Sequence, residues 1–240
     1  MSESNLYSLV HTGNEGDIDF YVRVCKGMDW VLELGCGSGR IGRSVSLEVK
    51  NFVGLDIDWD SVRIASENGV LCYCADMKNF QLSCQFDRII IPCNTMYCLL
   101  SEKYLVSCLK NIRKHLKKNG QVIFDVFVSY DTRKMSHSNK SQADNGWVKE
   151  IYYKGYIWDV YERVEMVQGA ERVDVYYSHK CRFSDEEIET KIPQCYFSYQ
   201  DVPQLLDRAG LTLKAMEGGF RSEPISDSCD RVVVRATPSR

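Results

Sequence analysis

Three carboxylates in this chain stand where short apolar runs give out: Glu33 in Val31-Leu32-Glu33-Leu34, Asp56 in Phe52-Val53-Gly54-Leu55-Asp56, and Asp76 after Val70-Leu71-Cys72-Tyr73-Cys74-Ala75. Directly behind the first run, Gly35, Gly37 and Gly39 alternate with Cys36 and Ser38. Alternating glycines let the backbone turn sharply and let a ligand approach the main chain where a Cβ would collide. A helix opening at Arg40 would present free N–H groups to a polar or anionic ligand group. A carboxylate at a strand end, by contrast, attracts a cation or accepts hydrogen bonds from hydroxyl groups.

The elements that would position these groups are legible in the hydrophobic pattern. Strands are expected over 31–34, 52–58, 70–77, 86–95 and 121–127, each short, apolar and closing on polar residues. Amphipathic helices are expected over 17–24, from Arg40 to about Val49, over 59–68 with Asp58 or Asp60 as its cap, and over 101–118, where Asn119-Gly120 ends the periodicity. Alternating strands and helices give a parallel sheet with helices on both faces. After Phe127 the pattern changes. Tyr130 to Asn145 is polar and reads as a loop, and strand-like alternation then runs from Trp147 to Phe183 with a turn at 168–171. A helix over 200–208, a strand over 211–217 and a last strand over 231–235 complete the chain. The tail up to Gly16 reads as a mobile lid or a frayed end.

Two nucleotide-type cofactors use such a glycine turn. Gly37-x-Gly39-x-x-Gly42 satisfies the dinucleotide fingerprint, which would make the chain an NAD(P)-dependent oxidoreductase. Glu33-x-Gly35-x-Gly37-x-Gly39 instead resembles the first motif of the class I S-adenosylmethionine (SAM) methyltransferases. Glu33 discriminates between them, since its carboxylate suits a methionyl ammonium and repels a pyrophosphate. The resemblance implies a Rossmann-like, seven-stranded, mainly parallel sheet ending in an antiparallel hairpin, with an antiparallel β insertion over 130–198 inside a single domain of residues 1–240. It implies SAM as cofactor, held by Glu33, Gly35, Cys36, Gly37, Gly39, Asp56, Ile57, Asp76, Met77 and Pro92, with Asp56 on the ribose and Asp76 and Met77 at the adenine. It also places the fourth motif, Pro92-Cys93-Asn94-Thr95, near the transferred methyl. That order departs from the Asn/Asp-Pro-Pro-aromatic motif of nucleobase amino methylation, which argues against a DNA or RNA base as substrate; the resemblance is to the small-molecule enzymes of the family and implies a small-molecule acceptor at nitrogen or oxygen. Tyr21, Asn94 and Tyr97 are the acceptor-side candidates. Tyr21 either faces the ligand or packs on the sheet, and the 94–97 segment either lines the site or caps the next helix. Asp125, inside an apolar strand, either reaches the substrate or is a satisfied buried acid. A non-catalytic SAM-binding protein remains a third reading.

Composition bounds the partners. A net charge of −3 gives no electrostatic reason to expect nucleic acid or an anionic membrane, and no apolar run approaches the roughly 20 residues that cross a bilayer. Met1 to Asn5 lacks the features of a signal peptide, so a cytoplasmic protein is expected. Eleven cysteines, an odd number lying mostly in apolar segments, read as free thiols. The four histidines have no metal-ligand spacing, so no metal is expected; His137 or His179 could serve as a base. The aromatic residues of the insertion can roof an acceptor pocket, pack across strands or form a homodimer contact.

Overall fold

The computed structural model describes residues 3–128, 146–167, 169, 172–195, 197–226 and 229–239. The polar loop expected over 130–145, His137 and most of the turn at 168–171 lie outside them. The chain divides into two compact units, one of Gly13–Val128 with Phe197–Arg240, the other of Met1–Thr12 with Ser129–Tyr196.

The first unit is built on a seven-stranded sheet. Its strands are β1 (Trp30–Leu34), β2 (Asn51–Asp56), β3 (Cys72–Cys74), β4 (Phe86–Ile91), β5 (Leu116–Phe127), β10 (Leu211–Gly218) and β11 (Arg231–Pro238), in the order β10-β11-β5-β4-β1-β2-β3. The five strands from β5 to β3 pair in parallel, while β11 runs antiparallel to β5 and β10 to β11. Leu32 pairs with Ile89 and Ile89 with Val122 on one face; Glu33, Ile90 and Ile123 align on the other. Both sets are almost wholly buried, which explains why these strands read as continuous apolar runs and not as alternating ones. The second face is covered by α2 (Asp17–Cys25), α3 (Gly42–Val45) and α4 (Trp59–Glu67), through Phe20, Tyr21, Val45, Val62 and Ala65.

Helix ends follow local chemistry. Asp58 caps α4 by accepting from the Ser61 N–H at 2.8 Å. Ser101 caps α5 (Glu102–His115), and α6 (Val202–Arg208) follows a short 3-10 turn, Tyr199–Asp201. Two helices are shorter than the periodicity implies. The helix after Gly39 covers only 42–45, because Glu48 O accepts from Gly27 N at 3.0 Å and Lys50 N bonds Met28 O, which draws the chain into the start of β2. Helix α5 stops at His115, where Leu116 turns extended and opens β5 opposite Phe86.

The second unit is an antiparallel sheet of β6 (Gly146–Tyr153), β7 (Tyr156–Met166), β8 (Arg172–Cys181) and β9 (Glu187–Cys195), in that order. The tail read as lid or frayed end is instead a helix, α1 (Glu3–Val10), whose Leu6 and Val10 join Ile151, Tyr153, Trp158, Val160, Val175 and Tyr177 in one core. Trp158 is fully buried with its Nε1–H donating to Tyr153 O at 3.0 Å, so some of the aromatic wealth is packing, whereas Trp147, Tyr152 and Tyr156 are exposed. All eleven cysteines are free, but Cys74 and Cys98 are exposed, not core, residues.

Removing the Trp158 side chain with Trp158→Ala should cost about 3–5 kcal/mol of the antiparallel unit's stability. Ser101→Ala should cost about 1 kcal/mol in the other unit. Urea titration followed by circular dichroism checks both; equal, small effects would contradict the assignment of Trp158 to a core.

Candidate active site

The parallel strands end along one edge, and β1 lies between β4 on one side and β2 on the other. From β1 the chain runs outward to β2 and β3, then crosses to β4 and β5 on the other side, and ligands of such sheets bind at that switch point. The glycine turn follows β1 there. Gly35 N and Cys36 N both bond Leu55 O, at 2.8 and 3.0 Å, and Gly39 N bonds Cys36 O at 2.9 Å. All three glycines have positive φ, of 70°, 52° and 86°. A Cβ on Gly35 would lie 2.3 Å from Thr95 Cγ2 and one on Gly39 2.9 Å from Val70 Cγ2, whereas a Cβ on Gly37 would meet nothing within 4 Å. Protein neighbours therefore dictate the outer glycines, and Gly37 alone presents bare backbone to open space.

Asp56, at the tip of β2, clamps that turn. Its Oδ2 accepts from Gly37 N at 2.7 Å and its Oδ1 from Asp58 N at 2.9 Å. Each carboxylate oxygen keeps a further lone pair for a hydroxyl donor. Burial pushes the Asp56 carboxyl above its ordinary range despite these bonds. Glu33 lies deeper, 2 % exposed, with Oε2 lacking a hydrogen-bond partner. Burial first, then the neighbouring Asp56 charge, outweigh Arg40 and the Gly42 N–H and push its carboxyl up to about 8. A buried acid with an unmet oxygen is a place where a cation would be welcome. Asp76 is turned back on its own loop, accepting from Lys78 N at 2.9 Å and pairing with Lys78 Nζ at 3.1 Å. The structure thus brings Glu33 and Asp56 together at the glycine turn and leaves Asp76 with Lys78. Met77 is half-buried, Ile57 is 69 % exposed, Pro92 is buried, and Cys36 is buried with its Sγ against Gly54.

Sequence reasoning missed the pairing of Arg40 with Asp17 and left Asp125 open between a substrate contact and a satisfied buried acid. Arg40, just past the turn, forms a two-pronged pair with Asp17 of α2 at 2.9 and 2.5 Å and donates to Cys93 Sγ at 2.9 Å. Burial pushes Asp17 up, but the Arg40 and Asn14 hydrogen bonds hold it below the usual carboxylate range. Asp125, 0 % exposed on β5, accepts from Tyr21 Oη at 2.5 Å, Cys93 N at 3.0 Å and Asn94 N at 3.2 Å, with Arg231 Nη1 at 3.7 Å. The signal available in the sequence was a charged residue inside an apolar strand.

Two acceptor-side candidates are accordingly spent on structure. Burial and the Asp125 charge hold the Tyr21 phenol well above its ordinary pKa. Tyr97 is buried, stacked on Phe197 with ring centres 4.5 Å apart, its hydroxyl shared between Phe127 O and Phe197 O. Asn94 differs: it is 7 % exposed, and its Oδ1 has no partner.

Residues 31–120, the stretch from β1 into β5 that carries Glu33, the glycine turn, Asp56 and Asp76, match the family model described as "Methyltransferase domain". The chain thus carries a methyltransferase domain over those residues, on the fold of the class I SAM-dependent methyltransferases. It is 24% identical over 213 residues to a "Putative methyltransferase" of Geobacillus sp. (strain WCH70), spanning 86% of this chain and 83% of that one. Its fold matches a S-adenosylmethionine-dependent methyltransferase from Clostridium acetobutylicum ATCC 824 with a TM-score of 0.78, at 17% identity over 99% of this chain and 98% of that one. It also matches the sugar N-methyltransferase KedS8 from Streptoalloteichus sp. ATCC 53650, TM-score 0.74, 14% identity, 100% and 94% covered. SAM is the cofactor of the methyltransferase. The residues present fit it: a bare stretch of backbone at Gly37, hydroxyl-accepting lone pairs on Asp56 and an unmet carboxylate oxygen on Glu33.

Glu33 supplies a pH test of this geometry. Its folded pKa of about 8 lies above the ordinary 4.5, so the protonated form is the stable one and stability falls as pH rises from 4.5 through 8. Glu33→Gln removes that loss. The methyltransferase variant should match wild type below about pH 4.5 and exceed it by on the order of 5 kcal/mol above pH 8. Denaturant midpoints across that range decide it, and a constant difference would refute the assignment.

Proposed function

We propose that this methyltransferase moves the methyl group of SAM to a nitrogen or oxygen of a small-molecule acceptor by in-line displacement, with nitrogen favoured. The observation that carries the reading is the exposed Gly37 backbone clamped by Asp56 beside the unmet Glu33 carboxylate. In this reading Gly35, Cys36, Gly37 and Gly39 form the cradle, with Ile57 and Pro92 beside it. Asp56 takes the ribose hydroxyls, Glu33 the methionyl ammonium, and Asp76 and Met77 the adenine. SAM, when bound, supplies an electrophilic methyl on a sulfonium. The protein's part is to align the acceptor with it and exclude water.

Nitrogen is favoured by the lack of a free base at the site among the described residues. An alcohol or phenol needs a base to remove its proton during attack, whereas a neutral amine already carries the lone pair that attacks. Tyr21 and Tyr97 are committed to Asp125 and to backbone carbonyls, and Asn94 Oδ1 can accept a hydrogen bond from an amine without taking its proton. The likeness to a sugar N-methyltransferase supports the same choice. The exposed Trp147, Tyr152 and Tyr156 of the antiparallel unit suit a contact with a small molecule or with a second copy of the chain. Among the described residues no helix is long and apolar enough to cross a membrane. Free thiols throughout favour the reducing cytoplasm. The net charge of −3 argues against nucleic acid or membrane as partner.

Calorimetry with SAM, its demethylated product S-adenosylhomocysteine and NAD tests the cofactor half. The two adenosyl ligands should bind and NAD should not, and Asp56→Ala should weaken both by about tenfold or more, about 1.4 kcal/mol. Unchanged affinity in that variant, or NAD binding without SAM binding, would reverse the reading. Turnover of a panel of amines, amino sugars, alcohols and phenols with labelled methyl tests the acceptor half. Label should enter amines first, and a chain that binds SAM yet labels nothing would be a binding protein.

A further inference from the structure

The segment after β4 holds a shape that its own residues would not choose. Cys93 and Asn94 both lie in the left-handed region at φ 59°, and neither is glycine. What holds them is a side chain from another strand: the Asp125 carboxylate takes the Cys93 N–H on one oxygen and the Asn94 N–H on the other. Tyr21 from α2 donates to the first oxygen, and Arg231 from β11 stands by the second. A buried acid could be satisfied by the phenol and the guanidinium alone. Here both oxygens also grip consecutive amides of one turn, and that turn leans on the cofactor cradle at two points. Thr95 packs on Gly35, and Cys93 Sγ receives the Arg40 N–H. The turn also carries Asn94, whose Oδ1 is buried and unpartnered.

We propose that Asp125 is a positioning residue for methyl transfer: it locks the Cys93-Asn94 turn so that the Asn94 carboxamide meets the reacting centre. It thereby governs the acceptor side of the site and not the grip on the cofactor. This rests on the methyltransferase reading above. It separates Asp125 from Asp56, whose loss acts on cofactor affinity.

Two probes distinguish the sides without a known acceptor. S-adenosylhomocysteine has nothing at the transferred-methyl position, and sinefungin carries an amine there. In Asp125→Asn the affinity for S-adenosylhomocysteine should stay within about threefold of wild type while that for sinefungin falls about tenfold or more. Asn94→Ala should show the same selective loss. Cys93→Gly added to Asp125→Asn should recover a large part of it, because glycine adopts positive φ without strain. A merely structural acid would not be rescued by a glycine placed elsewhere. The proposal is overturned if the two ligands weaken together in Asp125→Asn, if the glycine restores nothing, or if Asn94→Ala leaves their ratio unchanged. The Asn94 arm decides the matter even where Asp125→Asn does not fold. Failure of the wild-type protein to bind either ligand would sink the methyltransferase reading, and this inference with it.

Discussion

A carboxylate taken out of water must be met by donors, and the α2 side of the parallel sheet takes in three. Glu33 and Asp125 are buried and Asp56 is largely enclosed. Each meets the requirement differently, and the differences organise the site. Asp125 collects a phenol, two amides and a nearby guanidinium from three separate segments. Asp56 collects two amides from chain close by, one of them Gly37. Glu33 falls short and keeps an unmet oxygen, and burial carries its carboxyl up to about 8. A fold selected only for stability would replace such an acid. Its retention at the glycine turn fits a site that expects a cation.

The turns around the switch point hold one another in place through few contacts. Asp17 on α2 pairs with Arg40 beyond the glycine turn, and Arg40 in turn touches Cys93 beyond β4. Asp125 returns the connection from Cys93 to α2 through Tyr21. Four segments distant in sequence are thus closed into a ring of charge-assisted hydrogen bonds, stronger than neutral ones and sharper in geometry. Two left-handed residues in that ring cost on the order of 1–3 kcal/mol each. Strain of that size survives only where surrounding bonds over-determine the backbone, and the Asp125 carboxylate is what does so here.

What the sequence made legible is what is decided locally. An apolar run closing on an acid fixes a strand and its end, so β1, β2 and β4 and the order of elements were readable, as was the terminal hairpin of β10 and β11. What it hid depends on distant partners. The helix after Gly39 looks long by periodicity and is cut to one turn by bonds from residues before β1. The stripe of Leu6 and Val10 means nothing until an antiparallel sheet from residues past 145 supplies the other half of the core. Asp125 was visible as an oddity, but its donors lie 104, 32 and 31 residues away, and no spacing rule reaches that far. Asp76 was read as the end of a strand over 70–77, but the strand stops at Cys74 and a lysine two residues past Asp76 decides where its carboxylate turns.

Residue type was the weakest guide on the acceptor side, for a physical reason. Tyrosine is attractive as a catalytic group because its hydroxyl both gives and accepts, but that property also compels a buried tyrosine to find a partner. Tyr21 found Asp125, and Tyr97 found two carbonyls and the Phe197 ring. Neither phenol is then free to take a proton. Asparagine cannot take one, but it can hold a nucleophile's N–H at a fixed point, and its unmet Oδ1 at position 94 is the polar atom that the ring of hydrogen bonds leaves over. A site that commits its phenols to architecture and keeps a carboxamide in reserve can align a nucleophile more readily than deprotonate one, which is what the proposed amine acceptor would need.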